Sequence, residues 1–192
     1  MNTRLLTGLE RLEKTLRKPI EIAGIFAAWC GLGLVFVVAG NVLARYIFNA
    51  GSVAIQEMEW HLISPIALIG MSYAMQQGEH VRVDFLYDRL SVGAKKVVDL
   101  LAALLLCSVA VIIVKLSIPY VEQSYGLQEG SPDPGGLPNR WILKAFVPLG
   151  FALLALQAFL QFIDVLIHFG NQKIDKQKEK EQRIEHSTHV PS

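Results

Sequence analysis

Three sets of polar residues in an otherwise apolar chain are spaced so that they could do chemistry. Asn41, Arg45 and Asn49 recur every fourth residue and so share one helical face. A short turn later come Glu57 and Glu59, about 200° apart on a helix, so the two carboxylates address different neighbours and Glu57 shares its face with His61. One of these carboxylates is placed to pair with Arg45. Gln157, Gln161 and Asp164 stand at i, i+4 and i+7, a stripe too polar to point steadily at acyl chains, so it should face protein: this chain's own bundle or another subunit.

None of these sets supplies a nucleophile and a base in register, which argues against catalysis. A haem between His80 and His168 would make the chain a redox anchor, but both histidines fall near one end of the apolar runs and His61 near the other, so no pair meets at mid-depth. Cys30 and Cys107 lie inside separate apolar runs, far from any metal-like spacing, and read as small buried hydrophobes. No cofactor or metal is expected. Nor do paired ionisable groups lie at mid-depth, as an autonomous ion or proton carrier would need.

The elements that must hold these residues are membrane helices. Of 192 residues, 52% are apolar and only 18% charged, an unusual balance for a water-soluble domain. The 18 Lys plus Arg and 17 Asp plus Glu leave a net charge of +1, so no basic field invites nucleic acid. Uncharged stretches over 22–44, 60–78 and 145–163 are long enough to cross a hydrocarbon layer of about 30 Å. A shorter one, 100–114, is extended by the apolar residues beyond Lys115, whose stem reaches toward the interface. The first stretch is too long, and preceded by too long a charged leader, for a cleaved signal peptide. The expected fold is all-α, with four transmembrane helices over about 20–47, 55–77, 97–118 and 141–168.

Lys and Arg gather before the first span, between the second and third, and after the fourth. Their bias puts both termini in the cytoplasm. Residues 1–19 carry Leu5, Leu9, Leu12 and Leu16 at helical spacing among charges, the pattern of a short amphipathic helix on the membrane face. Asp84 is placed to cap a second such helix, with Phe85, Leu86 and Leu90 toward lipid, and Ser91 to cap the third span. Residues 20–169 form the transmembrane domain and 170–192 a charged cytoplasmic tail. The stretch 119–139, rich in Pro and Gly, is expected to be an ordered outer loop that packs on something outside the chain. Ala23, Ala27 and Gly31, and Gly70, Ala74 and Gly78, follow the small-xxx-small rule for close helix approach.

The segments NVLARYIFN, EMEW and GMSYAMQQGEHVRVDFLYDRLS, followed by EGSPDPGGLPNRWILKAFVPLGFALLALQ, resemble in order and spacing the small membrane subunit of tripartite ATP-independent periplasmic (TRAP) transporters, the DctQ-like family, in its mannitol or chloroaromatic branch. Glu57 and Glu59 are separated by Met58 where that family commonly has adjacent glutamates. The resemblance implies an inner-membrane accessory subunit in a sodium-coupled system for an organic acid. Its partners would be a large multispanning subunit that carries the transport sites and a periplasmic solute-binding protein, with lipid around it. The small subunit would brace the large one. The resemblance also marks Arg45, Glu57, Glu59, His80 and Asp84 as contacts holding that complex, and the stripe of Gln157, Gln161 and Asp164 extends the set.

Overall fold

The computed structural model describes the backbone of residues 3–79, 87 and 89–188 and the side chains of 7–9, 11–79, 87, 89–91 and 93–167. It is all-helical over the described residues, with four long helices: α1 (Thr3–Phe48), α2 (Val53–Gln76), α3 (Val92–Gly126) and α4 (Trp141–Thr188). The segment that was to carry the Asp84-capped helix, with Phe85 and Leu86, lies outside the described residues.

Three of the helices are long and apolar enough to cross a membrane, over Thr7–Phe48, Gly93–Gly126 and Trp141–Ile167. The count of four expected from the sequence is therefore not reproduced, and α2 is the helix that falls short. At 24 residues it rises about 36 Å, which is ample. Its composition is the cause: Glu57, Glu59 and His61 crowd the first turns, and Ser64, Pro65, Ser72 and Gln76 interrupt the rest.

The amphipathic stretch at the start of the chain is not a separate element. α1 runs unbroken through Pro19, and Leu9 packs against Ile163 and Ile167 of α4. A leucine expected to meet lipid covers the end of a neighbouring helix instead. Ser91 caps α3 as its position suggested, its hydroxyl accepting from the Ala94 N–H at 3.3 Å, which satisfies one of the free amides of the first turn. α3 continues through Pro119 to Gly126, so the outer loop is shorter than its prolines implied.

α4 is the hub, packing on α1, α2 and α3, while α1 and α2 form a hairpin and α3 packs chiefly on α4. Small side chains recur among the buried ones, Ala27 and Cys30 on α1, Ala103 and Ala110 on α3 and Ala158 on α4, beside larger ones such as Ile20, Ile69 and Leu160. Small residues at the seams are what association in lipid requires, because apolar burial there gains nothing over acyl chains and close van der Waals contact must supply the attraction. Larger side chains such as Trp29, Phe36, Leu105 and Leu116 point outward and are more than 60% exposed.

Two glycines set the closest approaches. A β-carbon on Gly24 would overlap the ring of Tyr73, and one on Gly150 would stand 2.6 Å from the Leu68 carbonyl oxygen. The first joins α1 to α2 and the second joins α4 to α2. The pair expected on α2 does not serve this purpose, since a β-carbon on Gly70 or Gly78 would meet nothing within 4 Å. Helical propensity alone makes Gly→Ala stabilising, so the packing predicts a reversal at one site. Gly150→Ala should destabilise the bundle by about 1–3 kcal/mol, the usual cost of overpacking, and Gly70→Ala should be neutral or mildly stabilising. Denaturant unfolding in mixed micelles, followed by tryptophan fluorescence, checks both.

Candidate functional site

The polar residues converge at the two ends of the bundle. At the end where α1 meets α2, the Glu57 carboxylate accepts from the Ser131 hydroxyl through one oxygen and from the Leu137 N–H at 2.6 Å through the other. Both donors belong to the loop between α3 and α4. That loop is closed on itself: Ser131 N–H donates to the Leu137 carbonyl at 3.1 Å and Gly136 N–H to Asp133 at 3.0 Å. Gly135 takes φ +80 within this turn, where a side chain would be strained, and a β-carbon on Gly136 would strike both Ser131 and the Glu57 carboxylate.

A second carboxylate ties the base of the same loop. Glu129 accepts from Lys144 Nζ at 2.5 Å and from the Ser124 hydroxyl at 2.7 Å, and its carbonyl accepts from the Arg140 N–H at 2.9 Å. Lys144 also lies over the Tyr120 ring, 4.2 Å from its centroid, and Tyr125 meets Trp141 edge to face at 5.4 Å. The loop is ordered, as its prolines implied. It is held to its own chain through the Glu57 and Glu129 carboxylates. The donors that hold it include a backbone N–H, which no side-chain pattern announces.

Glu59 turns to the other flank of α2, where its Oε1 accepts from the Asn41 amide at 3.0 Å. The expected pairing of Arg45 with a carboxylate does not form: Arg45 shares a cavity of about 260 Å³ with Glu59, Gln56 and Tyr46 but makes no ion pair among the described residues. Asn41, 6% exposed, satisfies Glu59 from within the seam and leaves the guanidinium outside. His61 Nδ1 lies 2.9 Å from the Glu57 carbonyl, to which its Nδ1-protonated tautomer donates.

At the opposite end, Arg17 is the knot. Its Nε donates to Glu13 at 2.6 Å, its Nη2 to Asp164 at 2.7 Å, and its carbonyl accepts from the Gln76 amide at 3.4 Å. Three helices meet on this one residue. Nearby, the Tyr87 hydroxyl donates to Asp99 at 2.6 Å. The stripe of Gln157, Gln161 and Asp164 thus faces this chain's own bundle: Gln157 is only 4% exposed and Asp164 is engaged by Arg17. Of the two alternatives left open by the spacing, this chain's own bundle holds Gln157 and Asp164. The carbonyl oxygens of Gln76, Gln157 and Gln161 are buried with no hydrogen-bond partner among the described residues.

His80 and Asp84 lie outside the described residues. Cys30 and Cys107 are free thiols, and no group of three or more His, Cys, Asp or Glu gathers to hold a metal among the described residues. Sequence reasoning did not pick out Glu129, Lys144 or Arg17 as clasp residues. The signal was there for one of them, since Arg17 follows Glu13 by four residues at the edge of an apolar run.

Residues 34–168 match the family described as the DctQ component of tripartite ATP-independent periplasmic transporters. The chain is also 27% identical over 149 residues to the ectoine TRAP transporter small permease protein TeaB of Halomonas elongata, covering 75% of this chain and 76% of that relative.

Two outcomes follow from the outer clasps. Glu57→Ala removes the acceptor of the Leu137 amide, a bond to a charged group normally contributing about 1.5–3 kcal/mol. Hydrogen exchange at Leu137 should accelerate by roughly 10- to 100-fold, with exchange in mid-α4 unchanged. The hydrogen bonds from Lys144, and then from Ser124, hold the Glu129 carboxyl below its ordinary range. A depressed carboxylate contributes its stabilisation in full above the unfolded value and loses it as pH falls through the folded one. The clasp should therefore be intact at neutral pH and open only below the ordinary carboxylate range. Trp141 fluorescence should report that acid transition, and Glu129→Gln should abolish it.

Proposed function

This chain belongs to the DctQ component family of the tripartite ATP-independent periplasmic transporters, and from that premise we propose that it braces the large transport subunit as a static wedge. The family makes it an accessory small permease subunit, not an enzyme, in a multi-pass inner-membrane complex with a large membrane subunit and a periplasmic binding protein.

The observation that carries the bracing role is the way the polar groups are spent. Glu57, Glu129 and Arg17 tie the helices and the outer loop to one another at both ends, while the flanks of α1 and α3 are left broad and apolar. A subunit that moved against itself during each cycle would have to break these charged clasps, each hydrogen bond to a charged group contributing about 1.5–3 kcal/mol. A wedge that only enlarges the fixed part of the complex keeps them.

In this reading all four helices span, α2 being carried across because α1 and α4 cover its polar face. The excess of Lys and Arg places both termini in the cytoplasm. Coupling to sodium and the binding of an organic-acid solute are the work of the large subunit and the binding protein. Arg45 and Glu59 on the outer half, with His80 and Asp84 on the inner side, are the contacts with the large subunit.

Two experiments test this. His80→Ala or Asp84→Ala should lower recovery of the large subunit at least threefold while leaving this chain inserted at its normal level; unchanged recovery would confine both residues to a local role. In a background lacking Cys30 and Cys107, a bismaleimide bridge between Gly31→Cys and Ile66→Cys locks α1 to α2. Solute uptake by the reconstituted complex should keep at least half its rate, and loss of uptake with the complex still assembled would refute the static wedge.

A further inference from the structure

We propose that the outer half of the α1–α2 seam, centred on Arg45 and Glu59, seats a transmembrane helix of the large subunit that brings a carboxylate to Arg45, and that the outward face of α3 is turned to lipid. This rests on the subunit reading above and names the surface and chemistry of its interface.

Two depressions flank the seam. One, of about 380 Å³, is an apolar groove between Phe36 and Gly40 of α1 and Ile55 and Met58 of α2, with Leu137 of the pinned loop at its edge. The other is the cavity of about 260 Å³ that holds Arg45, Gln56 and Glu59. Asn41 lines both, and its bond to Glu59 forms the wall between them. The surface is ridged and mixed in polarity, as a helix-packing face is.

Charge then selects the occupant. Arg45 is exposed near the outer end of a long apolar helix and has no anionic partner among the described residues. A guanidinium there is stabilised by an acceptor brought to it. Glu59 lies in the same cavity, with one oxygen held by Asn41. An anionic lipid phosphate approaching Arg45 would meet that carboxylate. A protein helix can offer an acid to Arg45 and a hydroxyl or amide donor to Glu59, matching both signs. Gly40 helps, because it is exposed and has nothing within 4 Å of where a β-carbon would sit, so a second backbone can come close.

The outward face of α3 has the opposite character. Leu101, Leu104, Leu105, Ile112 and Leu116 are all more than half exposed, and no charge interrupts the stretch between Asp99 and Lys115. Large side chains without polar punctuation suit acyl chains.

The test uses the complete complex in native membranes, with a benzophenone amino acid placed at Val42 on α1 or at Leu105 on α3. Irradiation should join the Val42 position, and not the Leu105 position, to the large subunit. Arg45→Glu should reduce recovery of the large subunit at least fivefold, with Arg45→Lys retaining more than Arg45→Gln and all variants inserted equally. Adducts from Leu105 and none from Val42 would place the partner on α3 and overturn this assignment while leaving the subunit reading intact. Adducts from Val42 to phospholipid alone, with Arg45→Glu harmless, would overturn it in favour of a lipid-facing seam. Failure of the unsubstituted chain to recover any large subunit would remove the premise as well.

Discussion

At the edges of a bilayer water is scarce, so a charge set beside an apolar helix is stabilised by a partner from the same fold, and the arrangement of this chain follows from that constraint. Four carboxylates are closed by donors from elsewhere in the fold: Glu57 by the loop, Glu129 by Lys144, Asp164 by Arg17, Glu59 by Asn41. The donors come from different helices, so satisfying the charges also fixes how the helices stand. A soluble bundle could leave such groups to solvent and hold itself together with a large core. Here few side chains are buried among the described residues, and polar ties at the two ends do part of the work of a core.

The same constraint explains which parts of the molecule were legible in the sequence. Uncharged runs of sufficient length mark α1, α2 and α4, and the shorter run at 100–114 marks α3, because hydrocarbon thickness acts on composition directly. Length alone overstated α2 as a span, since the polar residues that build its contacts, Glu57, Glu59 and His61, also dilute its apolar character. The cap at Ser91 was visible because a hydroxyl just before an apolar run has few other uses. The union of the amphipathic leader with the first span was not visible, because Pro19 is as compatible with a helix start as with a helix that continues through it.

The candidate site was legible in outline and not in connection. Spacing correctly grouped Asn41 with Arg45, and Gln157 with Asp164, but periodicity fixes only the face of a helix, never what stands opposite. Asn41, not Arg45, reached Glu59, because a short amide buried in the seam arrives without the desolvation that a guanidinium would suffer. The partner of Glu57 is a backbone amide of Leu137, a group every residue carries and no pattern marks. Similarly, Gly24 and Gly150 set the closest helix approaches although neither is among the small-residue sets read from the spacing, since what matters is the bulk of Tyr73 and the carbonyl of Leu68 across the gap.

That α4 touches each of the other described helices, and is made after all of them, bears on biogenesis. As the ribosome delivers the chain, α1 and α2 can pair at once as a hairpin, but α3 must wait in the lipid without its main neighbour until α4 is released. Until then the growing chain is a hairpin with a stray third rod, and quality control in the membrane has a window in which to recognise and degrade it. A polypeptide truncated anywhere before Trp141 would remain permanently in that vulnerable condition, however well its earlier portions had been inserted.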